Sequence, residues 1–196
     1  MLDFLDFENY KYIDLGGGVC NMDCDYCNAP FKNKDNLEEF YELDISSLIE
    51  LKKNLKKEDK IIISGGEPTL APKKRLFQLL NILKQSEIPK ENILFFTNLT
   101  APLLLYSEIA NYSILAISYH PKNHSTDFHK KLDNIIKLKI DYFLFLIKDF
   151  HNLNKRYFNK NYNYIEYSLH PKEYTNYGFK KEYFIYKERK TNESKN

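Results

Sequence analysis

Cys20, Cys24 and Cys27 are the chain's three cysteines, and they share one short window, Cys20-Asn21-Met22-Asp23-Cys24-Asp25-Tyr26-Cys27. Unrelated buried thiols would be scattered along the chain rather than set at CxxxCxxC spacing. A disulfide pair with a spare thiol suits a secreted protein, whereas the start Met1-Leu2-Asp3-Phe4-Leu5-Asp6 carries acid where a secretory signal is basic. Metal ligation is the chemistry left, and three thiolates leave a metal site incomplete. A closed zinc site wants four protein ligands and would need His120 or His170 as the fourth. A [4Fe-4S] cubane on three thiolates instead keeps one iron free for a ligand from outside the protein.

A second cluster follows in Ile61-Ile62-Ile63-Ser64-Gly65-Gly66-Glu67-Pro68-Thr69, where a β-branched run ends abruptly in two glycines, an acid and a proline. This reads as a buried strand breaking into a loop at its C-terminal end. Paired glycines let main-chain N–H and C=O groups approach a small polar ligand with no Cβ in the way, although an ordinary tight turn has the same composition.

Together, CxxxCxxC with an aromatic residue before its last cysteine and a strand ending in Gly65-Gly66-Glu67-Pro68 resemble the radical S-adenosylmethionine (radical SAM) superfamily, over roughly Lys11 to Leu169. The resemblance implies a [4Fe-4S] cluster on Cys20, Cys24 and Cys27, with S-adenosylmethionine chelating the open iron. Reductive cleavage would then give methionine and a 5′-deoxyadenosyl radical that abstracts hydrogen from a small-molecule or peptide substrate. An external low-potential electron donor such as flavodoxin or ferredoxin is implied as a partner. By the same resemblance, Gly65, Gly66, Glu67 and Pro68 line the amino end of S-adenosylmethionine mainly through main-chain groups, and Tyr26 contacts the adenine region. Thr97 and Asn98 close the next strand with polar groups, and Ser118 matches a position that bonds the ribose or carboxylate. A turn or cap role is the alternative for all three of these last residues.

The elements that must position these residues alternate. Strands are expected at Tyr10–Leu15, Lys60–Ser64, Asn92–Thr97, Ser113–Tyr119, Asp141–Ile147 and Tyr164–Leu169. Helices are expected from Asp44 to about Lys57 on a stripe of Ile45, Leu48, Ile49 and Leu55, from Pro72 on Leu76, Phe77, Leu79, Leu80 and Leu83, from Pro102 to about Ala110, and from Thr126 to Leu138. The alternation alone means a parallel α/β sheet, with a flavodoxin-like order still open. The resemblance implies the partial, open (βα)6 barrel. In either, ligands bind at the C-terminal strand ends, where every residue singled out above falls.

One internal echo, Ser118-Tyr119-His120-Pro121-Lys122 and Ser168-Leu169-His170-Pro171-Lys172, places two histidines just after strands. They read as similar strand-ending turns or as candidate catalytic groups, since imidazole titrates near neutrality. Lys148, at the end of the fifth strand, is a candidate for an anionic substrate group or a solvated lysine. That strand, Tyr142 to Ile147, lacks the glycine-containing pattern many superfamily members set against adenine.

With 196 residues, 43% of them hydrophobic, a single core domain is expected over 1–186, its aromatic C-terminal part (Tyr174, Tyr177, Phe179, Tyr183, Phe184, Tyr186) covering the open side of the barrel, followed by a disordered polar tail at 187–196. A formal charge of +2 and no long apolar run argue against general nucleic-acid or membrane binding and for a cytoplasmic protein. Further readings are a glycyl-radical activase acting on a partner protein and, from another class, a non-catalytic iron-sulfur or zinc protein. Because the cysteine loop and the glycine turn are separate segments, Gly66→Val is expected to weaken cofactor binding while leaving iron content intact.

Overall fold

The computed structural model of the protein describes residues 9–24, 27, 30–34, 41–120, 126–147, 163–167, 181–184 and 186–188. In chain order its strands are β1 (Tyr10–Asp14), β2 (Tyr41–Leu43), β3 (Lys60–Ser64), β4 (Ile93–Thr97), β5 (Ile114–Tyr119), β6 (Tyr142–Ile147), β7 (Tyr164–Tyr167), β8 (Lys181–Phe184) and β9 (Tyr186–Glu188). Helices α1 (Ile45–Asn54), α2 (Lys73–Gln85), α3 (Leu103–Ile109) and α4 (Thr126–Lys137) fill the crossovers up to β6. The expected helix limits hold within a few residues. Asp44 caps α1 by accepting the Ser46 N–H at 3.1 Å, as its residue type predicts.

The main sheet runs β7-β6-β5-β4-β3-β1-β8, and every neighbouring pair is parallel. From β1 through β7 the order never reverses, which removes the flavodoxin-like alternative, whose strand order turns back on itself. Consistent winding in one direction sends the helices to one side of the sheet. That side carries Ile13, Ile61, Ile63, Phe95, Leu115, Ile117 and Leu144 against Leu51, Leu79, Tyr106, Phe128 and Ile135 of the four helices. The opposite face is a separate cluster contributed by strands alone, with Tyr10, Ile62, Leu94, Ala116 and Phe145 at its centre and Tyr12, Phe96 and Phe143 partly buried around them. Helices outside and a strand-lined interior are the layering of a half-barrel.

Two features differ from the sequence expectation. The sheet has a seventh strand, β8, which carries Tyr183 and Phe184 and adds to the free edge of β1, and β9 pairs antiparallel with β2 through Tyr186 and Leu43. Tyr183, Phe184 and Tyr186 thus lie on strands at sheet edges, while Tyr174, Tyr177 and Phe179 of the expected cover lie outside the described residues. In α1 the buried positions are Leu48 and Leu51, while Ile45 and Ile49 are 63% and 52% exposed. Of the expected stripe Leu48 is buried and Leu55 packs against the core, while Leu51 and not Ile45 or Ile49 completes the buried side. Among the described residues no helix is long and apolar enough to cross a membrane.

Truncating the buried side of α1 and the exposed side should therefore differ sharply. Leu51→Ala is expected to lower unfolding free energy by about 2–5 kcal/mol and Ile45→Ala by no more than about 0.5 kcal/mol, read from urea midpoints. Equal losses would contradict this packing.

Candidate active site

The site forms where β1, β3 and β4 end. Asp14, the last residue of β1, is buried, and its carboxylate accepts the Gly17 N–H at 2.7 Å, turning the chain out of the strand. The loop that follows carries the cysteines and is held from two sides. On one side the chain returns alongside it, with Cys20 N–H donating to the Phe31 carbonyl at 2.9 Å and Lys34 N–H to the Cys20 carbonyl at 3.0 Å. On the other side Glu67 N–H donates to the Val19 carbonyl at 2.8 Å. Within the loop, Cys27 N–H donates to the Cys24 carbonyl at 3.0 Å, and Lys32 Nζ donates to the same carbonyl at 2.7 Å.

Gly66 explains why this second contact is possible. Its φ is 73°, a backbone region that favours glycine, and a Cβ there would overlap the carbonyl oxygen of Val19 and the carbonyl carbon of Gly18. Gly65 packs in the same way against the Asp14 carboxylate, and Gly16 against the Gly65 carbonyl. The two glycine-rich segments are therefore packed backbone to backbone. The expectation that the glycine turn and the cysteine loop are separable does not hold, because the space beside Gly66 belongs to the cysteine loop itself.

Glu67 joins the third segment. Its side chain is 1% exposed, and its carboxylate accepts four hydrogen bonds: Asn98 N–H at 2.6 Å, Thr97 Oγ1 at 2.8 Å, Thr69 Oγ1 at 2.5 Å and Thr69 N–H at 3.2 Å. Burial pushes its carboxyl above the usual carboxylate range, and these four donors pull it back toward the ionised form. Thr97 Oγ1 also lies 3.1 Å from Tyr106 Oη, a fully buried phenol on α3 that accepts the Ala101 N–H at 2.9 Å. For Thr97, the turn-and-cap role is the one the geometry supplies. Pro68 is buried and opens the short 3-10 turn Pro68–Leu70 that Glu67 caps.

Asn98 reaches the other way, into the cysteine loop. Its Oδ1 accepts Thr100 N–H at 3.1 Å and Thr100 Oγ1 at 2.6 Å, while its Nδ2 donates to Asn21 Oδ1 at 2.9 Å and lies 3.8 Å from Cys20 Sγ. Asn21 Nδ2 closes the ring by donating to Thr100 Oγ1 at 2.9 Å. Asp14, Asn21, Thr100 and Tyr106 are site residues that sequence reasoning passed over. Only Asp14 had a local signal, an acid three residues before a glycine.

Burial pushes the Cys20 thiol up to about 12, with smaller contributions in the same direction from Glu67, Cys27 and Cys24, against one backbone hydrogen bond from Met22 that lowers it. A metal bound there must itself supply the charge that stabilises a thiolate. Among the described residues no three His, Cys, Asp or Glu side chains surround a point where a single ion would sit. A cubane takes each thiolate on a different iron, so its ligands stand farther apart than those of one ion. Three thiols from one loop, with the Asn98 amide beside Cys20, are a donor set that fits such a cluster.

Ser118 is half-buried on β5 between Ile117 and Tyr119, which face the helices, so alternation sets it on the strand-lined interior. His120 follows β5 directly and is half-buried in surface terms, yet packed densely enough that burial pushes its imidazole down to about 4. Tyr26, Lys148 and His170 lie outside the described residues.

Gly66→Val should lower stability by about 2–4 kcal/mol and iron uptake with it, since both the strained φ and the Val19 carbonyl oppose the new side chain. Paired urea melts and iron assays would show whether the two fall together. Full iron uptake with unchanged stability would contradict the packed-loop geometry. Glu67→Gln sets an amide donor against donors and should cost about 1–3 kcal/mol in the same melts. A neutral result there would mean the carboxylate is not the acceptor these contacts describe.

Three comparisons bear on this arrangement. Structures of anSMEcpe with bound AdoMet superpose on 82% of the chain at TM-scores of 0.61 and 0.64, with 16% and 15% sequence identity, and the match covers 51% of that protein. At such identity the likeness is one of fold. A 56-residue stretch, 29% of this chain, is 38% identical to 7-carboxy-7-deazaguanine synthase of Haemophilus influenzae and covers 23% of that enzyme. The chain thus spans about half, or less, of the length of the relatives it matches. The family model described as the Radical SAM superfamily matches residues 16–187, from the glycine run before the cysteines to β9. With that match covering most of its length, the chain belongs to the radical SAM superfamily, whose cofactors are a [4Fe-4S] cluster and S-adenosylmethionine.

Proposed function

We propose that this chain is an enzyme domain that cleaves S-adenosylmethionine reductively and uses the product radical to abstract hydrogen from a small-molecule or peptide substrate. When bound, the [4Fe-4S] cluster supplies the electron that breaks the sulfonium C–S bond, giving methionine and a 5′-deoxyadenosyl radical. The observation that carries the reading is the contact of the cysteine loop with the Gly65–Glu67 turn, through Glu67 N–H and the Val19 carbonyl. It sets a loop of three thiols, one short of a closed tetrad, against a turn whose two glycines carry no side chain of their own.

In this reading Cys20, Cys24 and Cys27 hold the cluster, and the main chain of Gly65, Gly66 and Glu67 takes the amino end of S-adenosylmethionine. Pro68 and Thr97 support that turn from beneath. Ser118, on the interior face, bonds the ribose or carboxylate, and Tyr26 takes the adenine region. Burial disfavours the charged imidazole of His120, which suits it to hydrogen bonding a substrate in its neutral form. His170 and Lys148 are the remaining candidates for substrate contact. An external low-potential donor, a flavodoxin or ferredoxin, delivers the electron.

Anaerobic reconstitution should load about four irons per chain, and alanine at any one of Cys20, Cys24 or Cys27 should abolish loading. Dithionite and S-adenosylmethionine should then yield 5′-deoxyadenosine and methionine from the loaded protein without added substrate, measured by chromatography. Stoichiometric zinc without iron, or a reduced cluster that yields no 5′-deoxyadenosine, would overturn the proposal.

A further inference from the structure

The side-chain amide of Asn98 is oriented by a donor that cannot be reversed. Thr100 N–H points at one end of the amide from 3.1 Å, so that end is Oδ1 and the other is Nδ2. Nδ2 carries two hydrogens and has two acceptors, Asn21 Oδ1 at 2.9 Å and Cys20 Sγ at 3.8 Å. Thr100 Oγ1 and Asn21 close the ring on either side, and Lys131 Nζ holds the Thr100 carbonyl at 2.7 Å from α4. The amide is thus fixed from three directions with one N–H aimed at a cysteine sulfur. The main-chain N–H of the same residue neutralises part of the Glu67 carboxylate, which interacts electrostatically with Cys20.

We infer that Asn98 is a positioning residue that raises the reduction potential of the cluster by donating its side-chain N–H to the Cys20 thiolate. The inference rests on the cluster assignment proposed above. A donor to a ligating sulfur draws electron density from it, and the reduced cluster, which carries one more negative charge, gains more from that than the oxidised one. The segment Thr97-Asn98 then contributes twice to the site: the Thr97 hydroxyl and the Asn98 backbone secure Glu67, and the Asn98 amide makes the electron easier to accept.

The test uses reconstituted holoprotein in which only asparagine is labelled with nitrogen-15, reduced with dithionite and measured by pulsed electron-nuclear double resonance. An asparagine nitrogen-15 coupling to the reduced cluster is expected, and its loss in Asn98→Asp with persistence in Asn111→Asp, at an exposed asparagine just past α3, identifies the donor. Redox titration should find that Asn98→Asp is about tenfold less reduced than wild type at a fixed potential, a shift of about 59 mV for one electron. A wild-type cluster that forms normally but shows no such coupling overturns the inference and leaves the cluster assignment standing. An unchanged midpoint in Asn98→Asp does the same. A wild-type chain that takes up no iron overturns both. Because the wild-type coupling is read on unsubstituted protein, its absence overturns the inference whether or not a variant folds.

Discussion

A single buried carboxylate holds three loops of this site in register. Glu67 is nearly inaccessible, and its charge is tolerable only because donors from two segments converge on it: Thr69 from its own turn, Thr97 and Asn98 from the end of β4. Its backbone N–H meanwhile grips Val19 in the cysteine loop. One residue therefore links the ends of β1, β3 and β4. Removing its acceptors would strand the Asn98 N–H and the Thr97 hydroxyl in the protein interior, each a penalty of about 1–3 kcal/mol.

The rest of the site follows from that constraint. Loops at strand ends are the part of an α/β sheet with the fewest packing contacts, and a metal-binding loop has to be held before it can bind. Here the holding is done by hydrogen bonds between main chains, made possible where Gly16, Gly65 and Gly66 remove the Cβ atoms that would keep the segments apart. The parallel sheet below supplies rigidity. Phe95 and Ile63 lie directly across the β3–β4 ladder and are both fully buried, so the strand ends that carry Glu67 and Thr97 cannot shift independently.

What was legible in the sequence and what was not divides along sequence separation. Six strands of the sheet were legible as β-branched and aromatic runs, most of which stop at or beside glycine, proline or asparagine, and both motifs were legible because each is contiguous. The superfamily match covers both motifs and five of those six strands, starting just after β1. Contacts between segments carried no such signal. Asn21 and Asn98 are 77 residues apart, and nothing in either's neighbours distinguishes an amide that closes a ring from one that faces water. Tyr106 reads as part of a helix stripe, although its hydroxyl braces Thr97. The strand β8 was missed because an edge strand is selected by the β1 edge it joins and not by its own alternation. The α1 stripe was right at Leu48 and Leu55 and wrong at Ile45 and Ile49 for a related reason: Ile45 and Ile49 are as apolar as Leu48 and Leu51, and only the way the helix packs on the core chooses between them.

The central claim is that the site is preorganised by Glu67 before any cofactor arrives, and native-state hydrogen exchange on the iron-free protein tests it most directly. The amides of Asn98 and Glu67 donate to the Glu67 carboxylate and to the Val19 carbonyl respectively. If the network holds, both should exchange as slowly as amides in the middle of β3 and β4, with protection approaching the global unfolding free energy. Exchange of either amide at the rate of an exposed loop would show that the three loops are assembled by the cofactors, contradicting the account.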